Sequence, residues 1–147
     1  KTMGAMIKVN NALKENIQVI YCVGETLEEF EAGKSKDVVK TQLVEGLKGI
    51  KASLLKKIII AYEPVWSIGT GKSASKEIAE DMCKFVRDTV KKISSSKAAS
   101  EVRIQYGGSV KPNNAKEYLS QEDIDGVLVG GASLQVESFK ELVSKAF

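Results

Sequence analysis

The sequence contains no histidine. That absence excludes Ser-His-Asp and Cys-His catalysis, and any His-ligated metal centre, from this chain alone. Its two cysteines, Cys22 and Cys83, lie far apart and without CxxC spacing. A disulfide framework is therefore not expected, and a reduced, cytoplasmic setting fits better. No apolar run approaches the roughly 20 residues that would span a bilayer. Residues 1–12 also lack the apolar core and cleavage site of a secretory leader. The formal charge is only +3, with lysines interleaved among Glu and Asp. This describes solvated helix faces, so neither nucleic acid nor a membrane is expected as a partner. No linker or low-complexity segment divides the chain, and residues 1–147 are expected to form one domain. The chain begins with Lys1 and not Met, which is expected of a processed product or of a piece of something longer.

Four short apolar runs are present, at residues 17–23, 58–62, 102–106 and 126–130. Their β-branched and aromatic content, continuous and not alternating, predicts strands buried on both faces, as in a parallel sheet. Helical spacing fills the intervals. Ile78, Met82, Phe85, Val86, Val90 and Ile93 recur at three- and four-residue steps behind a candidate N-cap, Ser75. Val38, Val39, Leu43 and Leu47 mark a helix over residues 37–48. Pro112 is suited to the first turn of a helix over 112–119. Phe139, Leu142 and Val143 mark a last helix, and residues 3–13 a first one. Ser94, Ser95, Ser96 and Ser100 read as a polar loop. Strand and helix alternate, which predicts an α/β protein with right-handed crossovers. A closed (β/α)8 barrel needs on the order of 250 residues, so four strands amount to its half. A small open doubly wound sheet is the alternative.

The strongest chemical signal is Ala61-Tyr62-Glu63-Pro64-Val65-Trp66-Ser67-Ile68-Gly69-Thr70-Gly71-Lys72. Glu63 stands at the C-terminal end of a buried strand, where parallel α/β folds place their chemistry. Pro64 fixes the backbone after it. The loop then carries Val65, Trp66 and Ile68, side chains that a segment closing over a ligand would bury, with Gly69, Thr70 and Gly71 at its far side. The plainer reading is a strand-end glutamate paired to a lysine, beside a loop packed on a neighbour. Two further clusters end the later strands: Tyr106-Gly107-Gly108-Ser109-Val110 and Leu128-Val129-Gly130-Gly131-Ala132-Ser133. Glycines allow close backbone approach, and the Ser109 N–H can point at an anion. Gly130 and Gly131 stand where a helix N-terminus would offer N–H groups to phosphate. Taken singly, a tight strand-to-helix turn explains each Gly-Gly pair equally well. Taken together they fit the phosphate site recurring after the last two strands of such barrels.

The Glu63 string is similar to the signature of the triosephosphate isomerases. That enzyme is itself a standard illustration of tuned acid–base chemistry and of lid closure, so the roles are carried over from the family. The resemblance spans about residues 17–147 and implies the C-terminal half, about four βα units, of a TIM (β/α)8 barrel. It implies a cofactor-free, metal-free interconversion of dihydroxyacetone phosphate and D-glyceraldehyde 3-phosphate. Glu63 would be the base and residues 64–72 (Pro64, Val65, Trp66, Ser67, Ile68, Gly69, Thr70, Gly71, Lys72) the lid. The N–H groups of Gly69, Ser109, Gly130 and Gly131 would hold the substrate phosphate, while Tyr106 and Ser109 would latch the lid. Ser67 departs from the family, which commonly has alanine there. Cys22-Val23-Gly24-Glu25 also matches, with Glu25 expected to be a structural hydrogen-bonding residue. Asp123 and Asp125 are expected to pair with Arg87 or Arg103, and Lys72 to be solvated.

The resemblance also defines what is missing. An enediolate oxygen needs donors, and the family supplies a lysine after the first strand and a neutral histidine after the fourth. Neither position lies in this chain. The N-terminal half-barrel, which carries most of the family's homodimer contacts, is therefore an expected partner, and the chain alone is expected to be inactive. The alternative function is a half-barrel that binds phosphate-bearing ligands without turning them over.

Overall fold

The structure is a computed structural model and describes residues 2–147. Four strands form one sheet: β1 (Val19–Val23), β2 (Ile58–Tyr62), β3 (Arg103–Tyr106) and β4 (Gly126–Val127). All three neighbouring pairs are parallel and the order is β1-β2-β3-β4. Strands that are sequential in the chain and sequential in space, with no reversal of order, belong to a barrel wall. A doubly wound sheet would place a switch point between its halves. The fold is therefore α/β, a partial TIM barrel whose sheet does not close.

The helices are α1 (Thr2–Lys14), α2 (Leu27–Glu31), α3 (Ser35–Gly46), α4 (Lys76–Ile93), α5 (Ser96–Glu101), α6 (Ala115–Leu119) and α7 (Val136–Ala146). They form an outer layer in which α1 packs on α3, α3 on α4, α4 on α5 and α6, and α6 on α7. The longest, α4, starts where its sequence allows. The Ser75 hydroxyl accepts the Ile78 N–H at 3.2 Å, satisfying an otherwise orphaned donor. Its apolar stripe (Ala79, Met82, Cys83, Val86 and Val90) is buried against β2 and β3, and each large aliphatic chain so buried contributes about 1.5–3 kcal/mol. Ile93, counted in that stripe from its spacing, lies beyond the sheet and is exposed.

Side-chain alternation splits the strands between two environments. Tyr21, Val23, Ile58, Ile60, Tyr62, Ile104 and Tyr106 face the helices and are buried. The opposite face carries Ile20, Cys22, Ile59, Ala61 and Gln105, the last three levelled with their neighbours by the parallel register. Ile20 is 48% exposed and Cys22 is also exposed. The apolar runs predicted strands buried on both faces, yet β1 is covered on one. An inner face of this kind is covered only when a barrel closes.

Several boundaries differ from the sequence reading. β1 and β3 begin a little later than their apolar runs, and β4 spans only Gly126–Val127, although the Leu128 N–H still donates to Tyr106 O at 2.9 Å. Pro112 does not open a helix. The Lys111 N–H is taken by Asn114 Oδ1 at 2.7 Å, a turn that delays α6 to Ala115. The serine-rich stretch is not simply a loop, since Ser95 caps Ala98 at 3.0 Å and starts α5. In α7 only Leu142 of the three marked residues is buried, with Phe139 and Val143 exposed.

One ion-pair network fixes the lower part of this wall. The Arg87 guanidinium donates to Asp123 at 2.6 Å, to Asp125 at 2.8 Å, and to the Ala99 and Val102 carbonyls at 2.7 and 3.1 Å. Asp125 also accepts the Ile104 N–H at 2.8 Å. The partner of both aspartates is therefore Arg87 and not Arg103. Burial beside Asp123 raises the pKa of Glu80, which accepts the Asp123 N–H.

β1 and β4 each leave one edge without a strand partner in this sheet. Open edges and an apolar inner face are templates for further pairing. We expect the isolated chain to self-associate at micromolar concentration in analytical ultracentrifugation. A monodisperse monomer that unfolds in one sharp cooperative transition would contradict this.

Candidate active site

Parallel register brings the strand ends to one rim of the sheet. Val23 lies level with Tyr62, and Tyr62 with Tyr106. The chain continues the pairing just past the strands: the Glu63 N–H donates to Val23 O at 2.7 Å and the Gly107 N–H to Tyr62 O at 2.9 Å. Glu63 follows a helix-facing tyrosine, so alternation aims its side chain at the inner face. There it meets Cys22 on one side and Gly107 on the other. A Cβ at Gly107 would stand 2.6 Å from Glu63 Cγ, and one at Gly24 would stand 1.9 Å from Glu63 O. Burial, then the charge of Glu63 and a hydrogen bond to it, push the Cys22 thiol up to about 11.

Glu63 is half-buried and forms one wall of a cleft of about 700 Å³. The other walls include Gly69, Ser109, Gly130 and Gly131. The three clusters singled out in the sequence thus converge on one space. Gly130 and Gly131 open a single 3-10 turn (Gly131–Ser133), not the α-helix expected there; α7 begins at Val136. The N–H groups of Gly69, Gly130 and Gly131 have no acceptor among the described residues. The Ser109 N–H is instead donated to Ser67 Oγ at 2.9 Å.

Residues 64–72 form an outward loop over this rim. Pro64 is buried, and Val65 and Ile68 are about half exposed, 50% and 51%. A 3-10 turn spans Val65–Ser67, and the left-handed conformations of Gly69 and Gly71 (φ 68° and 75°) reverse the chain. Thr70 Oγ1 donates to Trp66 O at 3.0 Å and accepts the Lys72 N–H at 3.1 Å. The Lys72 side chain is exposed, as expected. Trp66 packs on Phe30 with ring centroids 4.8 Å apart and donates its indole N–H to Glu25 at 3.3 Å.

Glu25 is fully buried and anchors this region. One carboxylate oxygen accepts from Tyr62 at 2.9 Å, Ser35 at 3.1 Å and Trp66, and the Glu25 backbone carbonyl accepts the Val65 N–H at 2.9 Å. Burial first, and then Glu25, raise the Tyr62 pKa, keeping that hydroxyl a donor. Tyr106 serves the far end of the loop: its hydroxyl accepts the Ala74 N–H at 3.0 Å, and the Tyr118 hydroxyl donates to Ala74 O at 2.5 Å. Burial is the first cause of the raised Tyr106 pKa. Gly108 is needed beneath it, since a Cβ there would lie 2.0 Å from the Tyr106 hydroxyl oxygen. The two glycines after β3 therefore make room for Glu63 and Tyr106 themselves.

Two contributors escaped the sequence reading. Lys111 is the one cation in the cleft lining. A lysine two residues past a strand-end loop carries no signal until the loop's direction is known. Gln42 holds Gly24 by a reciprocal pair of bonds, accepting its N–H at 2.9 Å and donating to its carbonyl at 3.1 Å. No His/Cys/Asp/Glu cluster suited to a metal occurs among the described residues, and no helix among them is long and apolar enough to cross a membrane.

Two separate observations now converge: sequential parallel strands with their loops on one rim, and a strand-end carboxyl facing a glycine-lined cleft. The family model for triosephosphate isomerase matches residues 5–146, nearly the whole of this sequence. The chain belongs to the triosephosphate isomerase family.

Proposed function

We propose that the chain supplies the base and the phosphate-binding half of a triose-phosphate isomerase active site. Glu63 takes the proton from the carbon beside the substrate carbonyl and returns it to the adjacent carbon, so that aldose and ketose interconvert through an enediolate without a cofactor. The observation that carries this reading is the placement of Glu63 in the wall of the same cleft as Gly69, Gly130 and Gly131, whose N–H groups are unengaged. A phosphate held at those donors fixes the substrate relative to the carboxylate, which is how positioning lowers a barrier. Residues 64–72 act as the lid. Gly69 lies within that loop, so phosphate binding and closure are linked. Tyr106 and Ser109 hold the closed lid. Closure excludes water from the enediolate, which would otherwise lose its phosphate or its proton.

The electrophilic half of the chemistry does not come from these residues. The chain has no histidine, and Lys111 is the one cation among the described residues lining the cleft. A complete site needs donors from the other half of the barrel, and the working enzyme is a cytoplasmic homodimer of complete barrels. The 147-residue chain by itself should therefore show little or no triose-phosphate turnover; a rate near that of a full barrel, from verified pure chain, would overturn this assignment. Within a complete barrel carrying this segment, Glu63→Gln should lower kcat by about 100- to 10,000-fold, the usual contribution of a positioned general base, with a much smaller effect on KM. A variant retaining more than a tenth of kcat would remove Glu63 from the role.

The contact between Cys22 and Glu63 offers a test that needs no turnover. The thiolate is the reactive form, and a thiol raised to about 11 by burial and by Glu63 is mostly protonated at pH 8. Glu63→Gln removes the neighbouring charge, so the Cys22 pKa falls and its alkylation accelerates. A several-fold rise in the iodoacetamide rate at Cys22, with buried Cys83 unmodified, is expected. An unchanged rate would mean that the two side chains are not in contact.

A further inference from the structure

Ser67 is fully buried although it belongs to an outward loop. Its hydroxyl donates to Lys72 O at 2.7 Å, tying the interior of the lid to its far end. The same oxygen accepts the Ser109 N–H at 2.9 Å, joining the lid to the loop after β3. It lies beside the Tyr106 hydroxyl, since a Cβ built on Gly108 would stand 2.7 Å from Ser67 Oγ and 2.0 Å from the Tyr106 oxygen. A hydroxyl has one proton and two acceptor lone pairs. Here the proton goes to Lys72 O and one lone pair to the Ser109 N–H.

The consequence lies in the donors lining the cleft. Three of the four N–H groups assigned to phosphate, those of Gly69, Gly130 and Gly131, are unengaged among the described residues. The fourth, Ser109, is occupied by Ser67. An N–H has one hydrogen, so an anion can take Ser109 fully only by displacing the hydroxyl. We propose that Ser67 is a positioning residue that acts as an internal competitor for the phosphate's Ser109 donor, so that an anion binding at Ser109 must displace the Ser67 hydroxyl. The exchange is feasible, because a hydrogen bond to a charged oxygen is roughly twice as strong as one to a neutral hydroxyl. It also costs Ser67 little, since its own proton stays on Lys72 O. Phosphate affinity is thereby held down. This inference rests on the phosphate reading above.

The test compares the chain with its Ser67→Ala variant, using inorganic phosphate as the probe. Binding is followed by emission of Trp66, the single tryptophan, and by hydrogen exchange at the Ser109 amide. The variant should bind phosphate about three- to tenfold more tightly, the net worth of one hydrogen bond. Without phosphate its Ser109 amide should exchange faster, and with phosphate it should be protected. Ser67→Cys, whose sulfur is a weak acceptor, should fall between the two. Equal or weaker phosphate binding by Ser67→Ala, with Ser109, Gly130 and Gly131 still protected by phosphate, would sink the role of Ser67 and leave the phosphate site standing. Phosphate that protects none of these amides in either protein would sink both. Loss of the folded exchange pattern in both variants would make Ser67 a structural residue and would also overturn the proposal.

Discussion

Everything in the site is counted from the parallel register of β2 with its two neighbours. Pairing of Val23 with Tyr62 and of Tyr62 with Tyr106 puts three chain exits on one rim. Backbone bonds from Glu63 to Val23 and from Gly107 to Tyr62 extend that level by one residue. Because side chains alternate, the residue after a helix-facing tyrosine must face inward. Glu63 does so, and Gly107 is its neighbour in the next strand. A shift of one residue in either pairing would turn Glu63 into the helix layer and send Tyr62 to the inner face. The buried contacts of Tyr62, Ile60 and Ile104 with the helices oppose such a slip, at about 1.5–3 kcal/mol for each large side chain exposed. The inward placement of Glu63 is thus held by hydrophobic packing on the opposite side of the sheet.

Above that register, two buried polar centres hold the ends of the loop. Glu25 secures the first end through Trp66 and the Val65 N–H, and it is backed by Tyr62 from β2 and Ser35 from α3. A carboxyl group in the interior is costly unless donors surround it. Three donors on one oxygen meet much of that cost, while the other oxygen has no partner among the described residues. Tyr106 secures the second end through Ala74, with Tyr118 on the same residue. Between the anchors Val65 and Ile68 remain exposed and the glycines turn with positive φ. The loop is thus held at both ends and at buried Ser67, while Val65 and Ile68 stay exposed between them.

Much of this was legible in the residues. The strand ending at Tyr62, the Ser75 cap and the alternation of elements all follow from local rules, because burial on both faces, a free hydroxyl and helical spacing leave direct marks in sequence. Other features are set by tertiary context. The Ser95 cap of α5 was hidden in a serine-rich stretch that reads as loop. Pro112 fits a helix start, yet Asn114 captures the Lys111 N–H first. The two glycines after β3 suggested ligand approach, and they also prove to be clearance for Glu63 and the Tyr106 hydroxyl. The engagement of Ser109 by Ser67 could not be read at all, since it joins residues far apart in the chain through a buried oxygen.

The division of the site also has a physical logic. On the proposed reading, phosphate recognition would use backbone N–H groups in three loops of one half of the sheet, with Glu63 placed by the same half. Such a half can pre-position a phosphate and a base with its own hydrogen bonds. On that reading it would not stabilise the charge that proton abstraction creates, because the inner face beside Glu63 is partly open to water, where a preorganised donor is worth least. Exposed Ile20 and Cys22 belong to that same open face. Covering them would exclude water and bring donors toward the developing oxyanion in one step. On the proposed reading, closing the barrel and completing the chemistry therefore draw on the same surface.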